Sequence, residues 1–156
     1  MSAIRIEVLA LSCAIASVSP GPLASGAPAA AGDPAHIVIV GNDYAFIGTP
    51  ESLAAGPTAF AFENRGLVRH EMSVVRLRPG VAASDVVARG PGAASSKALT
   101  DQLVGILVAR PGERSGGELL VDLVAGHRYL VVCTLRDTPD AAPHIQLGMI
   151  ASFDVR

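Results

Sequence analysis

Residues 118–134 have the sequence E-L-L-V-D-L-V-A-G-H-R-Y-L-V-V-C-T, and this stretch decides the fold class. In its first half, apolar and charged positions alternate with the period of two that is typical of a half-buried β-strand. The apolar positions are Leu119, Val121 and Leu123. Ala125-Gly126 then turns the chain into a second strand candidate, His127 to Thr134. Two strands joined by so short a turn favour an all-β domain.

Four more segments have strand character and are bounded by turn residues such as glycine, proline and asparagine. They are His36 to Val40, Thr58 to Asn64, His70 to Leu77 and Met149 to Val155. Six short strands separated by turns are typical of a β-sandwich. We therefore predict a β-sandwich over the mature chain.

The segment from Val81 to Gly112 departs from this pattern. Ser84 can cap a short helix that ends at Gly90, and Ser96 or Thr100 can cap a second helix that runs to about Ala109. Apolar residues recur there at helical spacing, at Leu99, Leu103, Ile106 and Leu107. The sequence thus predicts a short helical insertion around residues 82–110 that packs on an edge or end of the sandwich.

The composition sets the size and the class of the domain. The chain has 156 residues, enough for one compact module, and 50% of them are hydrophobic. Its 12 basic and 14 acidic side chains give a formal net charge of -2. This balance argues against non-specific nucleic-acid binding, and the apolar content argues against intrinsic disorder. Aromatic residues are only 4% of the chain, so the core must consist mainly of alanine, valine, leucine and isoleucine.

The N-terminal residues have the pattern of an export signal. Arg5 precedes an apolar run from Val8 to Val18, and small residues follow. We predict a signal peptide over residues 1–31 and a mature domain over residues 32–156, located in the periplasm or secreted. The alternative is a lipid anchor at Cys13, which follows Ala10-Leu11-Ser12.

Removal of a signal peptide leaves Cys133 as the only cysteine of the mature chain. No intramolecular disulfide is then possible. A single thiol in an exported protein is expected to be buried, paired with a partner or bound to a metal.

The chemistry concentrates in four residues near strand ends and in the last loop: His70, Cys133, His144 and Met149. A thiolate and a thioether stabilise Cu(I), imidazoles accommodate Cu(II), and a His2Cys set with a distant Met suits electron transfer. Zinc accepts cysteine and histidine but binds thioethers poorly, so Met149 favours copper. Taken singly, each residue is more typical of a core or surface position.

Other polar residues suggest no further site. His36 and His127 have the character of exposed strand or turn residues. No acidic pair has a spacing suited to acid–base catalysis, and no serine lies in a nucleophile elbow. We therefore do not expect an enzyme.

Three segments resemble the cupredoxins, the type 1 blue copper family of plastocyanin and azurin. Glu63 to His70 resembles the Asn-containing turn that leads into the strand of the first copper histidine. Gly126 to Thr134 resembles the Gly-x-Tyr strand that carries the copper cysteine. His144 to Met149 resembles the last ligand loop, with methionine five positions after histidine.

The resemblance implies a Greek-key β-sandwich with one copper ion, held by His70 and His144 as imidazole ligands, Cys133 as the thiolate and Met149 as the axial thioether. It implies a monomeric one-electron carrier that meets redox partner proteins outside the cytoplasm, without nucleic acid and without a transmembrane span in the mature chain. Two alternatives remain. One is storage or delivery of copper without redox turnover, with copper donor and acceptor proteins as partners, and the other is a metal-free structural domain.

The sequence departs from the family pattern in the last loop and beside the first histidine. Ten residues separate Cys133 from His144, and this polar insertion, which contains Asp137, is expected to stand clear of the metal. Glu71 occupies the place where the family often has an asparagine that ties the ligand loops together. We expect Glu71 to point to solvent, with orientation of an imidazole as the alternative.

Overall fold

The computed structural model describes residues 32–90, 92 and 96–156. The predicted signal peptide, its cleavage region and Cys13 lie outside the described residues. Among the residues described, no helix is both long and apolar enough to cross a membrane.

The described residues form two β-sheets and one short helix, so the predicted β-sandwich is confirmed. The elements are β1 Ala35–Asn42, β2 Ala45–Ile47, β3 Ser52–Leu53, β4 Gly56–Asn64, β5 His70–Leu77, α1 Ala83–Arg89, β6 Thr100–Ala109, β7 Leu119–Leu123, β8 Arg128–Val132, a 3-10 turn His144–Leu147 and β9 Ile150–Val155. One sheet has the strand order β2-β1-β4-β7 and the other has the order β3-β9-β8-β5-β6. Neighbouring strands are antiparallel except in the pairs β1–β4 and β3–β9.

Two apolar clusters cover the five-stranded sheet, one on each face. The inner cluster joins both sheets and includes a stacked pair, Tyr129 and Phe153, with ring centroids 5.4 Å apart. The outer cluster packs Val86 of α1 and Ile145 of the 3-10 turn against β5 and β8. Because both faces are covered, β5 and β8 are buried along nearly their whole length. Burial on two faces explains the continuous apolar run at the end of β8.

The predicted second helix is wrong, because Thr100–Ala109 forms strand β6. This strand pairs antiparallel with β5, with register shifts between Val74 and Val75 and between Arg76 and Leu77. Such irregularities break strict alternation, so its apolar residues fell at spacings that also suit a helix. A Cβ at Gly105 would collide with the Leu119 side chain, so the glycine permits close packing of β6 against β7.

The predicted first helix is confirmed as α1, but its N-cap is Ala82 instead of Ser84. The Asp85 carboxylate accepts a hydrogen bond from the Ala82 backbone N–H at 2.7 Å and satisfies that free donor. Ser84 lies inside the helix. Where the structure describes residues 82–110, the insertion thus contains one short helix followed by a strand.

Candidate metal centre

The pairing of β5 with β8 brings His70 and Cys133 to the same end of the sandwich. His70 is the first residue of β5, and Cys133 directly follows the last residue of β8. The register pairs Ser73 with Val132, so the start of β5 lies beside the end of β8. By the period of two, His70 shares the inner face with Met72 and Val74 of the core cluster.

The last loop adds His144 to this pair. The Cys133 Sγ lies 3.3 Å from His144 Nδ1 and 4.0 Å from His70 Nδ1. The two Nδ1 atoms are 3.1 Å apart. All three side chains are buried, and one ligand atom from each lies within 4.8 Å of the others. The structure therefore brings His70, Cys133 and His144 together at one end of the sandwich.

Met149 is fully buried and is linked to the same residues through its backbone. The Cys133 N–H donates to the Met149 carbonyl at 3.2 Å, and the Met149 N–H donates to the His144 carbonyl at 2.9 Å. A Cβ at Gly41 would lie 3.2 Å from the Met149 methyl, so the backbone of β1 approaches this side chain closely. Met149 thus belongs to the same corner of the fold.

Cys133 is a protonated thiol at neutral pH. Burial raises its pKa to about 11, against the hydrogen bonds from the backbone N–H groups of Glu71 and Leu135, which lower it. The Glu71 N–H lies 3.4 Å from Sγ. A thiol of this kind is a weak metal ligand in its protonated form, and a metal ion that binds it must displace the proton.

His70 is held as a neutral imidazole. Burial lowers its pKa, and the neighbouring His144 lowers it further. Its Nε2 is buried without a hydrogen bond, since Asp43 Oδ1 lies 3.6 Å away, beyond hydrogen-bond range. A neutral imidazole next to a thiol is the form that binds metal ions.

The expectation that Glu71 points to solvent is wrong. Glu71 is only 8% exposed, and its Oε1 accepts hydrogen bonds from the backbone N–H and the hydroxyl of Thr134, at 2.9 and 2.7 Å. Glu71 lies on the outer face of β5, opposite to His70, and the outer apolar cluster covers that face, so Glu71 is also buried. Glu71 therefore ties the start of β5 to the segment that follows Cys133.

The expectation that the insertion stands clear of the site is also wrong. Asp137 Oδ1 lies 2.9 Å from His144 Nε2, and Tyr44 donates its hydroxyl to Asp137 Oδ2 at 2.5 Å. The hydrogen bond from Tyr44 lowers the pKa of Asp137, and the same bond raises the pKa of Tyr44. The insertion folds back onto the imidazole because its carboxylate has two partners there.

The sequence did not single out Asp43 or Tyr44, which approach the site from the turn between β1 and β2. The Tyr44 ring lies edge-on to His144, with centroids 5.0 Å apart, and to His70 at 6.3 Å. Their signal in the sequence is only that they follow Gly41-Asn42 in a turn. By contrast, His36 is exposed and His127 is half-buried, and neither joins the described cluster.

The donor atoms present fit copper. One thiol sulfur and two imidazole nitrogens face one another in a buried corner, and the buried Met149 is hydrogen-bonded through its backbone to Cys133 and His144. Soft sulfur with two imidazoles is the combination that suits an ion alternating between Cu(I) and Cu(II). His70, Cys133 and His144 are positioned to form a metal site.

No protein-family model and no curated protein sequence matches the chain. Among solved structures, it is similar to auracyanin A, a blue copper protein from Chloroflexus aurantiacus, with 24% identity, a TM-score of 0.50, and coverage of 79% of this chain and 99% of that one. Auracyanin from Roseiflexus castenholzii has 17% identity and a TM-score of 0.49, and the match covers 78% of this chain and 96% of that one. Azurin from Methylomonas sp. strain J has 13% identity and a TM-score of 0.47, with 78% and 98% coverage. The likeness to auracyanin A, together with the two sheets, identifies the fold as that of the cupredoxins.

Proposed function

We propose that the protein binds one copper ion through His70, Cys133 and His144, with Met149 as the axial ligand, and carries single electrons between partner proteins outside the cytoplasm. The observation that carries this proposal is the convergence of the three ligand atoms within 4.8 Å. Auracyanin A, which shares the fold, is described as a blue copper protein.

Electron transfer is favoured by how firmly the donors are held. His70 and Cys133 are fixed by paired strands, and backbone hydrogen bonds join His144, Met149 and Cys133. Bound copper would supply a single-electron couple. Donors that are already in place change little between two oxidation states, and small rearrangement favours fast transfer. The proposal includes no substrate and no reaction other than electron exchange.

Export is part of the proposal and is supported by the pattern of the first 31 residues. We expect the mature protein to begin between Ala24 and Gly32. N-terminal sequencing of exported material tests this, and recovery of an intact Met1 would contradict it. A mature N-terminus at a lipid-modified Cys13 would instead support the anchored alternative.

A copper titration followed by visible absorption tests the site itself. We expect one equivalent of Cu(II) to produce an intense thiolate-to-copper charge-transfer band. His36→Gln is the matched control, because His36 is exposed and should leave the band unchanged. Absence of the band in wild-type protein would support the metal-free structural domain.

A second measurement separates electron transfer from copper storage. An electron carrier should exchange electrons rapidly between its Cu(I) and Cu(II) forms, which NMR line broadening in mixtures of the two forms measures. Slow self-exchange, together with rapid loss of copper to a chelator, would contradict the carrier proposal and favour delivery.

A further inference from the structure

The two imidazoles of the candidate site differ in what contacts their distal nitrogens. His144 Nε2 lies 2.9 Å from Asp137 Oδ1, within hydrogen-bond range. His70 Nε2 lies 3.6 Å from Asp43 Oδ1 and has no hydrogen-bond partner. A carboxylate therefore holds the His144 ring by a hydrogen bond, whereas the distal nitrogen of His70 has no hydrogen-bond partner.

Asp137 is itself held in place. Its second oxygen accepts the Tyr44 hydroxyl at 2.5 Å, so each carboxylate oxygen has its own partner. The Tyr44 backbone has φ of 60°, which is uncommon for a residue other than glycine. Residues held in such conformations concentrate at sites where a side chain must be placed accurately.

The contact determines which nitrogen of His144 carries the proton. An ionised carboxylate only accepts hydrogen bonds, so a neutral imidazole against it must carry its proton on Nε2. The unprotonated Nδ1 then faces Cys133 Sγ at 3.3 Å and His70 Nδ1 at 3.1 Å. This is the tautomer whose lone pair points into the cluster.

From this arrangement we infer that Asp137, held by Tyr44, is a positioning residue that fixes His144 with its Nδ1 directed at the metal and strengthens this imidazole as a donor. The inference rests on the proposed function. A carboxylate on the far nitrogen of a ligand imidazole raises its basicity. A more basic donor stabilises Cu(II) more than Cu(I), so the pair favours the oxidised ion.

The first test needs no copper. In 15N-labelled, metal-free protein, the His144 Nε2–H should give a downfield proton signal that exchanges slowly with water. Asp137→Ala should abolish this slow exchange, and Tyr44→Phe should speed it to an intermediate rate. Absence of a slowly exchanging Nε2–H in the wild-type protein would overturn the inference.

The second test separates positioning from simple support of the loop. Asp137→Ala should lower Cu(II) affinity about 10- to 100-fold, the usual effect of losing such a partner, with a smaller loss for Cu(I). The reduction potential should therefore rise, and Asp137→Glu should recover part of the shift. Equal losses for both oxidation states, with the potential unchanged, would mean that Asp137 only supports the loop.

Asp43→Asn and Asp137→Asn form a matched pair. Each removes one carboxylate charge near one imidazole, but only Asp137 lies within hydrogen-bond range of the ring. We expect the larger rise in potential for Asp137→Asn, and equal shifts would attribute the effect to charge alone. If no copper binds to any of these proteins, the proposed function fails, while the exchange measurement still decides whether Asp137 holds His144.

Discussion

The two sides of the candidate site are built by different means. On the strand side, His70 and Cys133 are placed by the register of β5 with β8, strands that are buried on both faces. On the loop side, His144 is placed by individual hydrogen bonds to residues of the last loop, and Asp137, which contacts its ring, is held in turn by Tyr44 of the β1–β2 turn. Paired strands hold a candidate metal ligand through many hydrogen bonds that form together. A loop holds its ligand through a few separate contacts.

The long loop between Cys133 and His144 is closed at its base. The His144 N–H donates to the Leu135 carbonyl at 2.9 Å, so only residues 136–143 form the excursion. Asp137 then returns from this excursion to the imidazole ring. The extra loop length therefore leaves His144 in place. The entropy cost of closing a loop rises only slowly with its length, and the hydrogen bonds of His144 to Leu135 and to Asp137 offset it.

The largest expected effect comes from the strand side. Cys133→Ser should abolish the visible band of copper-loaded protein, because the charge transfer originates from the thiolate and a hydroxyl cannot replace it. Absorption spectroscopy with one equivalent of Cu(II) measures this. A band that survives unchanged would mean that copper binds elsewhere, and His36 and His127 would be tested next.

Met149→Leu, on the loop side of the site, should change the copper site less than Cys133→Ser does. A thioether at a long axial distance contributes weakly to binding, so His70, Cys133 and His144 should still hold copper with its colour. The reduction potential should rise, because leucine replaces a donor with a hydrocarbon, and an apolar, less donating surrounding disfavours the more highly charged Cu(II). Voltammetry measures the shift, and loss of colour in this variant would contradict the axial assignment.

Glu71→Ala tests the link between the two sides. The variant removes the acceptor of both Thr134 hydrogen bonds in a buried place, and each such loss costs about 1–3 kcal/mol. Denaturant unfolding of metal-free protein should show this loss. Glu71→Gln, which keeps an acceptor oxygen, should lose less, and Glu51→Ala, on an exposed side chain, should lose almost nothing. Equal stability of Glu71→Ala and wild type would contradict the role of Glu71 as a tie.

Most of the strands were predictable because their signals are local. β1, β4, β5, β7, β8 and β9 have alternation or turn residues at their ends, and the predicted His70 to Leu77 agrees with the observed strand. β2 and β3, with three and two residues, are too short to show a period. β6 was mistaken for a helix because its structure depends on pairing with β5, which lies more than 20 residues earlier in the chain.

The residues that surround the candidate ligands were less predictable. His70 and Cys133 stand at strand ends, where a sequence pattern locates them well. The positions of Glu71 and Asp137 depend instead on what covers β5 and where the last loop returns. Both depend on parts of the chain that are distant in sequence. Glu71, which the sequence suggested to be solvated, is therefore buried, and Asp137, which was expected to stand clear of the site, is bonded to an imidazole.

The smallest expected effect is the pH dependence that burial gives to the strand-side histidine in metal-free protein. Burial lowers the pKa of His70 below the ordinary imidazole value of about 6.5. In the unfolded chain, His70 is in water and its pKa returns to that ordinary value. The unfolded chain therefore binds a proton that the folded protein does not, and the unfolding free energy decreases as pH falls below about 6.5. The loss is at most about 1.4 kcal/mol per pH unit for one proton. The unfolding free energy should be nearly insensitive to pH between about 7 and 8 and should decrease toward pH 5.5. Above about pH 8 a separate decrease is expected, because the Cys133 thiol ionises in the unfolded chain before it does in the folded protein. His70→Gln should reduce the dependence at low pH, while His36→Gln should retain it, because His36 is exposed in the folded protein. An equal slope in His70→Gln and wild type would mean that another group binds the proton.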